Sequence, residues 1–180
     1  MTNEAGSHAP AIDGERADLL EALGSQRHFL RFTVRDLTDD QARQHTTASE
    51  LTLGGLIKHV ASTESGWVNF ILAGPSALGD FSAMTEADFA RRADEFKLLP
   101  GETLAGVLDD YAKVAQRTDE LVASLPDLNA SHPLPKAPWF PADTRRSARQ
   151  VFLHIIAETA QHAGHADIIR ESLDGAKTMG

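Results

Sequence analysis

The chain has 180 residues, of which 42% are hydrophobic and 24% are charged, and its formal net charge is -9 at pH 7. This length suits one domain with a substantial buried core. The negative charge argues against wrapping around nucleic acid or docking on an anionic membrane. No run of about 18 apolar residues could span a bilayer, and the first residues lack a secretory signal pattern. We therefore expect a cytoplasmic protein.

Apolar residues that recur three and four positions apart predict amphipathic helices along most of the chain. After a flexible polar tail over residues 1–12, four long helices are predicted over residues 15–34, 52–73, 103–125 and 144–173. Shorter helical pieces are predicted after Thr38, which can cap one of them, and over residues 85–96. Gly54 and Gly55 lower the helix propensity near the start of the second long helix, which indicates close packing there.

The segment between the third and fourth long helices is predicted to be a long irregular crossing, because residues 126–143 contain five prolines. Loops of this length tend to be functional or disordered. No segment shows the two-residue alternation of a strand over a useful length, and Gly175 is expected to end the last helix. We expect an all-α four-helix bundle over residues 13–175 with long crossing loops, and a short tail over residues 176–180.

The last long helix carries polar side chains in the middle of its apolar seam. Positions three and four apart are occupied in turn by Val151, Ile155, Glu158, His162, His165 and Ile169. A bundle should fill such positions with apolar residues, and burying a carboxylate and an imidazole without partners costs several kcal/mol. A divalent cation offsets that cost, because residues one helical turn apart can aim an oxygen and a nitrogen at one point.

A third ligand is expected from the second long helix, where His59 lies among apolar residues. Taken singly, His59 fits a satisfied core histidine and the Glu158–His162 pair fits a buried ion pair. Their combination favours a divalent-metal site with one position left for water or substrate, which is the pattern of catalytic zinc. Two histidines and a carboxylate also suit nickel, iron or manganese.

The remaining polar residues have simpler interpretations. His165 can approach the same point at a poorer angle, and His154 is expected to support the site or lie on the helix surface. Glu64 is expected to be solvated or hydrogen-bonded to one side of His59. No convergent pattern involves the other histidines, which we expect at the surface: His8, His28, His45 and His132.

Two pairs of residues near the crossing have alternative interpretations. Trp139 and Phe140 are interpreted as packing anchors, with a lid over the site as the alternative. Arg145 and Arg146 lie at the predicted start of the fourth long helix, where cations oppose the helix dipole. They are either a solvated pair or a contact for an anion.

A family resemblance lies in two segments, LTLGGLIKHVASTE (51–64) and HIIAETAQHAGHADIIRESLDG (154–175). They resemble the DinB-like superfamily and, within it, an actinobacterial mycothiol-dependent branch. In the wider superfamily a histidine of the second helix joins a His-x-x-x-His pair that precedes Gly-Gln. Here Glu158 and His162 form that pair, and His165 stands at the glutamine position. The His/Glu/His set is similar to that of mycothiol-dependent maleylpyruvate isomerase, which implies zinc. Since the chain lacks room for that enzyme's additional C-terminal domain, isomerase activity is not expected.

The resemblance implies a stand-alone bundle related to mycothiol and bacillithiol S-transferases. We expect zinc to lower the pKa of a low-molecular-weight thiol such as mycothiol, which then attacks a small electrophile. His165 would be the catalytic residue beside the metal, as a general base or an orienting group. The chain has no cysteine, so any thiol must be a cosubstrate.

Two other functions are left open by the sequence. One is a metal-dependent hydrolase, in which the open position holds an activated water. The other is a non-catalytic metal- or ligand-binding protein, in which His165 fills the fourth position. All of these functions are compatible with a homodimer.

Overall fold

The chain folds into an all-α four-helix bundle, as predicted, in a computed structural model that describes residues 13–79, 81 and 84–178. The helices are, in chain order, α1 (Gly14–Phe32), α2 (Asp39–Ala42), α3 (Leu53–Ala73), α4 (Glu86–Asp94), α5 (Leu104–Ser124) and α6 (Ala148–Asp174). A short 3-10 helix, Pro75–Leu78, follows α3. The four long helices, α1, α3, α5 and α6, form the bundle. The tail predicted over residues 1–12 lies outside the described residues.

Each long helix begins at a side chain that caps it. Asp13, Thr52, Thr103 and Ser147 each accept a hydrogen bond from the backbone amide three residues later. These bonds satisfy amides that the first turn of a helix leaves without a partner. At the other end of α6, Gly175 has a φ of 78°, a left-handed conformation that costs glycine little. The predicted end of the last helix is confirmed.

Helix α3 lies at the centre of the packing, against both α5 and α6, while α1 packs on α6 and α5. The buried apolar side chains form two clusters. One gathers around Leu56 and Tyr111, and the other around Phe70 and Phe152. Polar side chains occupy the stretches of α3 and α6 between these clusters. The bundle therefore has a polar layer between two apolar ones.

The start of the last helix differs from the prediction. Helix α6 begins at Ala148 rather than at residue 144, because the preceding residues form a strand, β2 (Arg145–Ser147). It pairs antiparallel with β1 (Ser131–Pro133), with His132 opposite Arg146. Strands of three residues are too short to show an alternating pattern, so no pattern in the sequence indicated them.

The two glycines at the start of α3 are explained by the segment that follows α4. A Cβ atom on Gly55 would lie 1.8 Å from the carbonyl oxygen of Phe96, and one on Gly54 would lie 2.4 Å from Cδ1 of Leu98. The predicted close packing is confirmed, and it places Phe96 against α3. None of the helices among the described residues is long and apolar enough to cross a membrane.

Candidate metal centre

Two facing helices bring together the three residues predicted as metal ligands. His59 comes from α3, and Glu158 and His162 come from α6. Nε2 of His59 lies 3.9 Å and Nε2 of His162 lies 3.7 Å from Oε1 of Glu158. One ligand atom of each residue lies within 4.8 Å of the other two. Both contacts are longer than a hydrogen bond, so the three groups point at a common space without bonding to one another.

The donor set and its spacing fit a divalent cation. Zinc binds histidine nitrogen and carboxylate oxygen at about 2.0–2.2 Å, so tetrahedral ligand atoms lie about 3.3 Å apart. The observed separations of 3.7 and 3.9 Å need only small side-chain adjustments to reach that value. Three protein ligands would leave a fourth position for another molecule.

The two imidazoles are held in the form that binds metal. Burial lowers the pKa of His59 to about 4, and the charges of His162 and Arg92 act in the same direction. Burial also lowers the pKa of His162, although the charge of Glu158 opposes it. Both rings are therefore neutral at pH 7, and a neutral imidazole offers a lone pair to a metal.

The orientation of His59 depends on residues that the sequence did not single out. Its ring stacks on Phe96 at a centroid distance of 3.9 Å and an angle of 22°. Nδ1 of His59 is buried without a hydrogen bond and lies 3.9 Å from Oε2 of Glu95. Thr63 places its Oγ1 3.5 Å from Nε2. Phe96 and Glu95 lie more than thirty positions from His59 in sequence, and no local pattern could have indicated them.

His165 lies on the far side of His162 from Glu158. Its Nδ1 is 3.4 Å from Nδ1 of His162, whereas Nε2 of His162 faces the carboxylate. His165 is absent from the described residues that line the adjacent cavity. His165 therefore contacts the imidazole ring of His162 and not the space in which a substrate would lie.

A cavity of about 340 Å³ opens beside His59 and Glu158. Its apolar part is lined by aromatic rings: Trp67, Phe81, Trp139 and Phe140. Phe140 also packs against the second apolar cluster, whereas Trp139 is 57% exposed and contacts Phe81 at 5.2 Å between ring centroids. The position of Trp139 therefore fits a lid over the site, whereas the position of Phe140 fits both a packing anchor and a part of such a lid.

His154 faces the same cavity one turn before Glu158 on α6. The edge of its ring meets Trp67, with 4.9 Å between centroids. Its pKa is lowered by burial and by the charge of Arg146, while Glu158 acts in the opposite direction. His154 is therefore a neutral imidazole in the wall of the cavity.

The other histidines lie away from this centre. His28 and His45 are exposed, as expected. His132 is half-buried, and its Nε2 lies 3.1 Å from the carbonyl oxygen of Ile71, because the pairing of β1 with β2 draws it against the end of α3. The expectation of a surface position is wrong for His132. His8 lies outside the described residues.

A second buried carboxylate, Glu64, belongs to a different cluster. It is completely buried and accepts hydrogen bonds from Nη2 of Arg27 at 2.5 Å and from Oγ1 of Thr118 at 2.6 Å. Arg27 also donates to Asp119 at 2.7 Å. The hydrogen-bonded alternative for Glu64 is confirmed and the solvated one is wrong. Its partners come from α1 and α5, so the cluster ties three helices together.

Comparison with models of known protein families gives a match over most of the chain. A family model described as Mycothiol-S-transferase matches residues 18–175. No curated protein matches the chain significantly. The matched range includes both of the segments that carry His59, Glu158 and His162, and the crossing between α5 and α6.

Proposed function

The chain belongs to the mycothiol S-transferase family, and we propose on this basis that it transfers mycothiol to a small electrophile at a metal centre held by His59, Glu158 and His162. The observation that carries the proposal is the convergence of these three groups beside an aromatic cavity. They face one another at distances too long for hydrogen bonds. A buried polar network would instead use such groups to satisfy one another.

Zinc is the proposed metal, because two imidazoles, one carboxylate and an open position are the ligand pattern of catalytic zinc. Nickel, iron and manganese accept the same donors. A divalent metal bound here supplies positive charge that lowers the pKa of an incoming thiol and favours the thiolate, which is the nucleophilic form.

His165 is proposed as a positioning residue for His162. With Nε2 of His162 used as a ligand atom, Nδ1 carries the proton and donates it to Nδ1 of His165, 3.4 Å away. Of the two roles that the sequence suggested, this position favours orientation over proton transfer. The non-catalytic alternative requires His165 as a fourth ligand, and its contact with the far side of His162 does not support that role.

The residues of the cavity supply the proton acceptor and the apolar surfaces that the proposed transfer needs. His154 is neutral at pH 7 and is the proposed acceptor of the thiol proton. The thiolate sulfur forms a bond to the electrophilic carbon, and the leaving group departs with the electron pair of the broken bond. Trp67, Trp139 and Phe140 exclude water from this space and offer flat surfaces to a planar electrophile.

The proposal is tested by metal analysis together with a panel of thiols. Purified protein is expected to retain one equivalent of metal after dialysis and to accelerate the reaction of mycothiol with monochlorobimane. Glu158→Ala should lose both properties. Glu171→Ala removes a carboxylate from the exposed side of the same helix, and it should keep both.

Two results would contradict the transferase. One is a rate with zinc-loaded protein that does not exceed the uncatalysed rate for any of several thiols. The other is a rate in Glu158→Ala that equals that of the unaltered protein. Hydrolytic turnover in the absence of any thiol would favour the hydrolase instead.

A further inference from the structure

Glu95 is a carboxylate beside the metal centre that the proposed ligand set does not use. It is the C-terminal cap of α4, and its amide donates to the carbonyl oxygens of Arg91 and Arg92. Its side chain is 37% exposed and lines the cavity together with those of His59 and Glu158. The end of α4 therefore brings a second acidic group next to His59, outside the cluster of three proposed ligands.

The imidazole of His59 lies between two carboxylates, with one of them beside each ring nitrogen. Nε2 lies 3.9 Å from Oε1 of Glu158, and Nδ1 lies 3.9 Å from Oε2 of Glu95. A neutral imidazole carries its proton on one nitrogen and a lone pair on the other. Only the form with the proton on Nδ1 leaves Nε2, the nitrogen on the side of Glu158, free to bind a metal. The position of this proton therefore decides whether His59 can act as a ligand.

The surroundings of Nδ1 make Glu95 the acceptor that this form needs. Nδ1 of His59 is buried, and no described residue is hydrogen-bonded to it. A buried N–H group without an acceptor is unfavourable. Oε2 of Glu95 has to move by about 1 Å to reach the usual N–H···O length of about 2.9 Å. The side chain of Glu95 is exposed enough to rotate by that amount.

The backbone next to Glu95 is fixed against α3. The ring of Phe96 stacks on His59 at a centroid distance of 3.9 Å. The carbonyl oxygen of Phe96 accepts a hydrogen bond from Oγ1 of Thr52 at 3.4 Å and lies so close to Gly55 that a Cβ atom there would be 1.8 Å away. The same contacts that orient the His59 ring therefore hold Glu95 beside its Nδ1 edge.

We propose that Glu95 is a positioning residue for His59: its carboxylate accepts the Nδ1 proton and thereby directs the lone pair of Nε2 at the metal. The inference rests on the proposed function, because it assumes the metal centre, and it adds a residue from a helix that supplies none of the ligands. A carboxylate behind a ligand histidine fixes the orientation of the ring and increases its basicity. Glu95 serves His59 in this way as His165 is proposed to serve His162.

The first measurement needs neither metal nor thiol. Protein labelled with nitrogen-15 is freed of metal with a chelator at pH 7, and long-range proton–nitrogen correlation spectra report which nitrogen of His59 carries the proton. The signals of His59 are assigned by their loss in His59→Gln. In Glu95→Ala the fraction of His59 with the proton on Nδ1 is expected to fall. Glu158→Ala removes the carboxylate beside the other nitrogen and should raise that fraction.

The second measurement is zinc affinity, determined by competition with a chromogenic chelator. Glu95→Ala should weaken zinc binding about tenfold. Glu95→Gln offers an amide oxygen to the same proton and should bind zinc within about threefold of the unaltered protein. Asp94→Ala is the matched control, because it removes the same charge from the preceding position, about 100° away around the helix. It should keep both the zinc affinity and the proton position of the unaltered protein.

Three outcomes overturn the inference. The first is an Nδ1-protonated fraction of His59 that is the same in Glu95→Ala and in the unaltered protein. The second is a zinc affinity that falls as far in Asp94→Ala as in Glu95→Ala, because loss of charge alone would then explain the effect. The third is a zinc affinity that falls as far in Glu95→Gln, because Glu95 would then bind the metal itself.

Turnover with mycothiol separates this inference from the proposed function. If the unaltered protein transfers no thiol but Glu95→Ala moves the proton of His59, the role of Glu95 stands and the transferase does not. If the unaltered protein transfers mycothiol and Glu95→Ala leaves the proton in place, the transferase stands and the role of Glu95 does not.

Discussion

Two glutamates of the bundle interior show what separates a structural polar cluster from a candidate binding site. Glu64 is completely buried and takes hydrogen bonds from Arg27 and Thr118 at 2.5 and 2.6 Å. Glu158 has a side chain that is 27% exposed, and it lies 3.7 and 3.9 Å from two imidazoles without bonding to either. The chain itself satisfies the first carboxylate. The second is directed at a space that a ligand can fill.

The largest expected effect comes from breaking the hydrogen-bonded cluster of Glu64, Arg27 and Thr118. Arg27→Ala leaves Glu64 buried without its cation, and loss of one partner of a buried pair costs about 3–5 kcal/mol. We expect a decrease of that size in the free energy of unfolding measured by urea denaturation. In metal-free protein, Glu158→Ala should change the same quantity by less than about 1 kcal/mol, because its carboxylate has no protein partner to lose.

Arg91→Ala is the matched control, since the Arg91 side chain is 73% exposed and its ion pair with Asp88 lies at the surface. Exposed pairs contribute about 0–1 kcal/mol. The comparison fails if Arg27→Ala is no more destabilising than Arg91→Ala, or if Glu158→Ala in metal-free protein is as destabilising as Arg27→Ala.

The sequence could not distinguish the two glutamates, because the difference lies in contacts between distant segments. Glu64 and Arg27 are 37 positions apart, and Glu64 and Thr118 are 54 positions apart. His162, in contrast, follows Glu158 by one helical turn, and a spacing of four along a helix can be recognised in any sequence. The pair on α6 was therefore predicted, whereas the partners of Glu64 were not.

Contacts between distant segments leave no local pattern elsewhere in the chain either, and this explains which other predictions were confirmed and which were wrong. The four long helices follow from a repeat that is local, and their caps are short-range too. The late start of α6 depends on pairing between β1 and β2, and the neighbours of His59 depend on a segment packed onto Gly55 from beyond α4. His59 was predicted as the third ligand because it is a histidine on an apolar face, and because the family that the chain resembles has a histidine on its second helix.

The second prediction concerns the pH dependence of stability in metal-free protein. The pKa of His59 is lowered from 6.5 to about 4 in the folded state. The unfolded chain thus binds a proton at a higher pH than the folded chain, and stability falls as pH decreases from about 6.5 to about 4. The decrease reaches about 3 kcal/mol at most. His162, whose pKa is also lowered, acts in the same direction.

Urea denaturation between pH 4 and 7, in the presence of a chelator, measures this dependence. His59→Gln should flatten the curve, because an amide does not titrate. An unchanged slope in that variant would mean that His59 is not the buried group responsible.

The third prediction tests how the bundle holds His59, Glu158 and His162 in place. Gly55→Ala puts a methyl group 1.8 Å from the carbonyl oxygen of Phe96, so the segment after α4 must move. We expect a loss of about 1–3 kcal/mol in the free energy of unfolding. Zinc affinity, measured by competition with a chromogenic chelator, should also decrease, because Phe96 stacks on His59.

Gly24→Ala in α1 is the control, because a Cβ atom there meets nothing within 4 Å. Alanine in an open position of a helix should add up to about 1 kcal/mol of stability. It should leave zinc affinity unchanged. If Gly55→Ala loses stability but binds zinc as before, the segment after α4 supports the fold and not the metal ligands.

The smallest expected effect concerns His165, the proposed positioning residue for His162. His165→Ala removes the acceptor for the Nδ1 proton of His162, and loss of such a partner should weaken zinc binding about tenfold, or about 1.4 kcal/mol. His165→Gln offers an amide oxygen to the same proton and should bind zinc within about threefold of the unaltered protein. A general base would behave differently, because His165→Gln would then abolish turnover while zinc affinity stayed constant. Glu64 has partners that bond to it directly, whereas in the proposed metal centre His165 acts on Glu158 only through His162, by fixing the orientation of that ring.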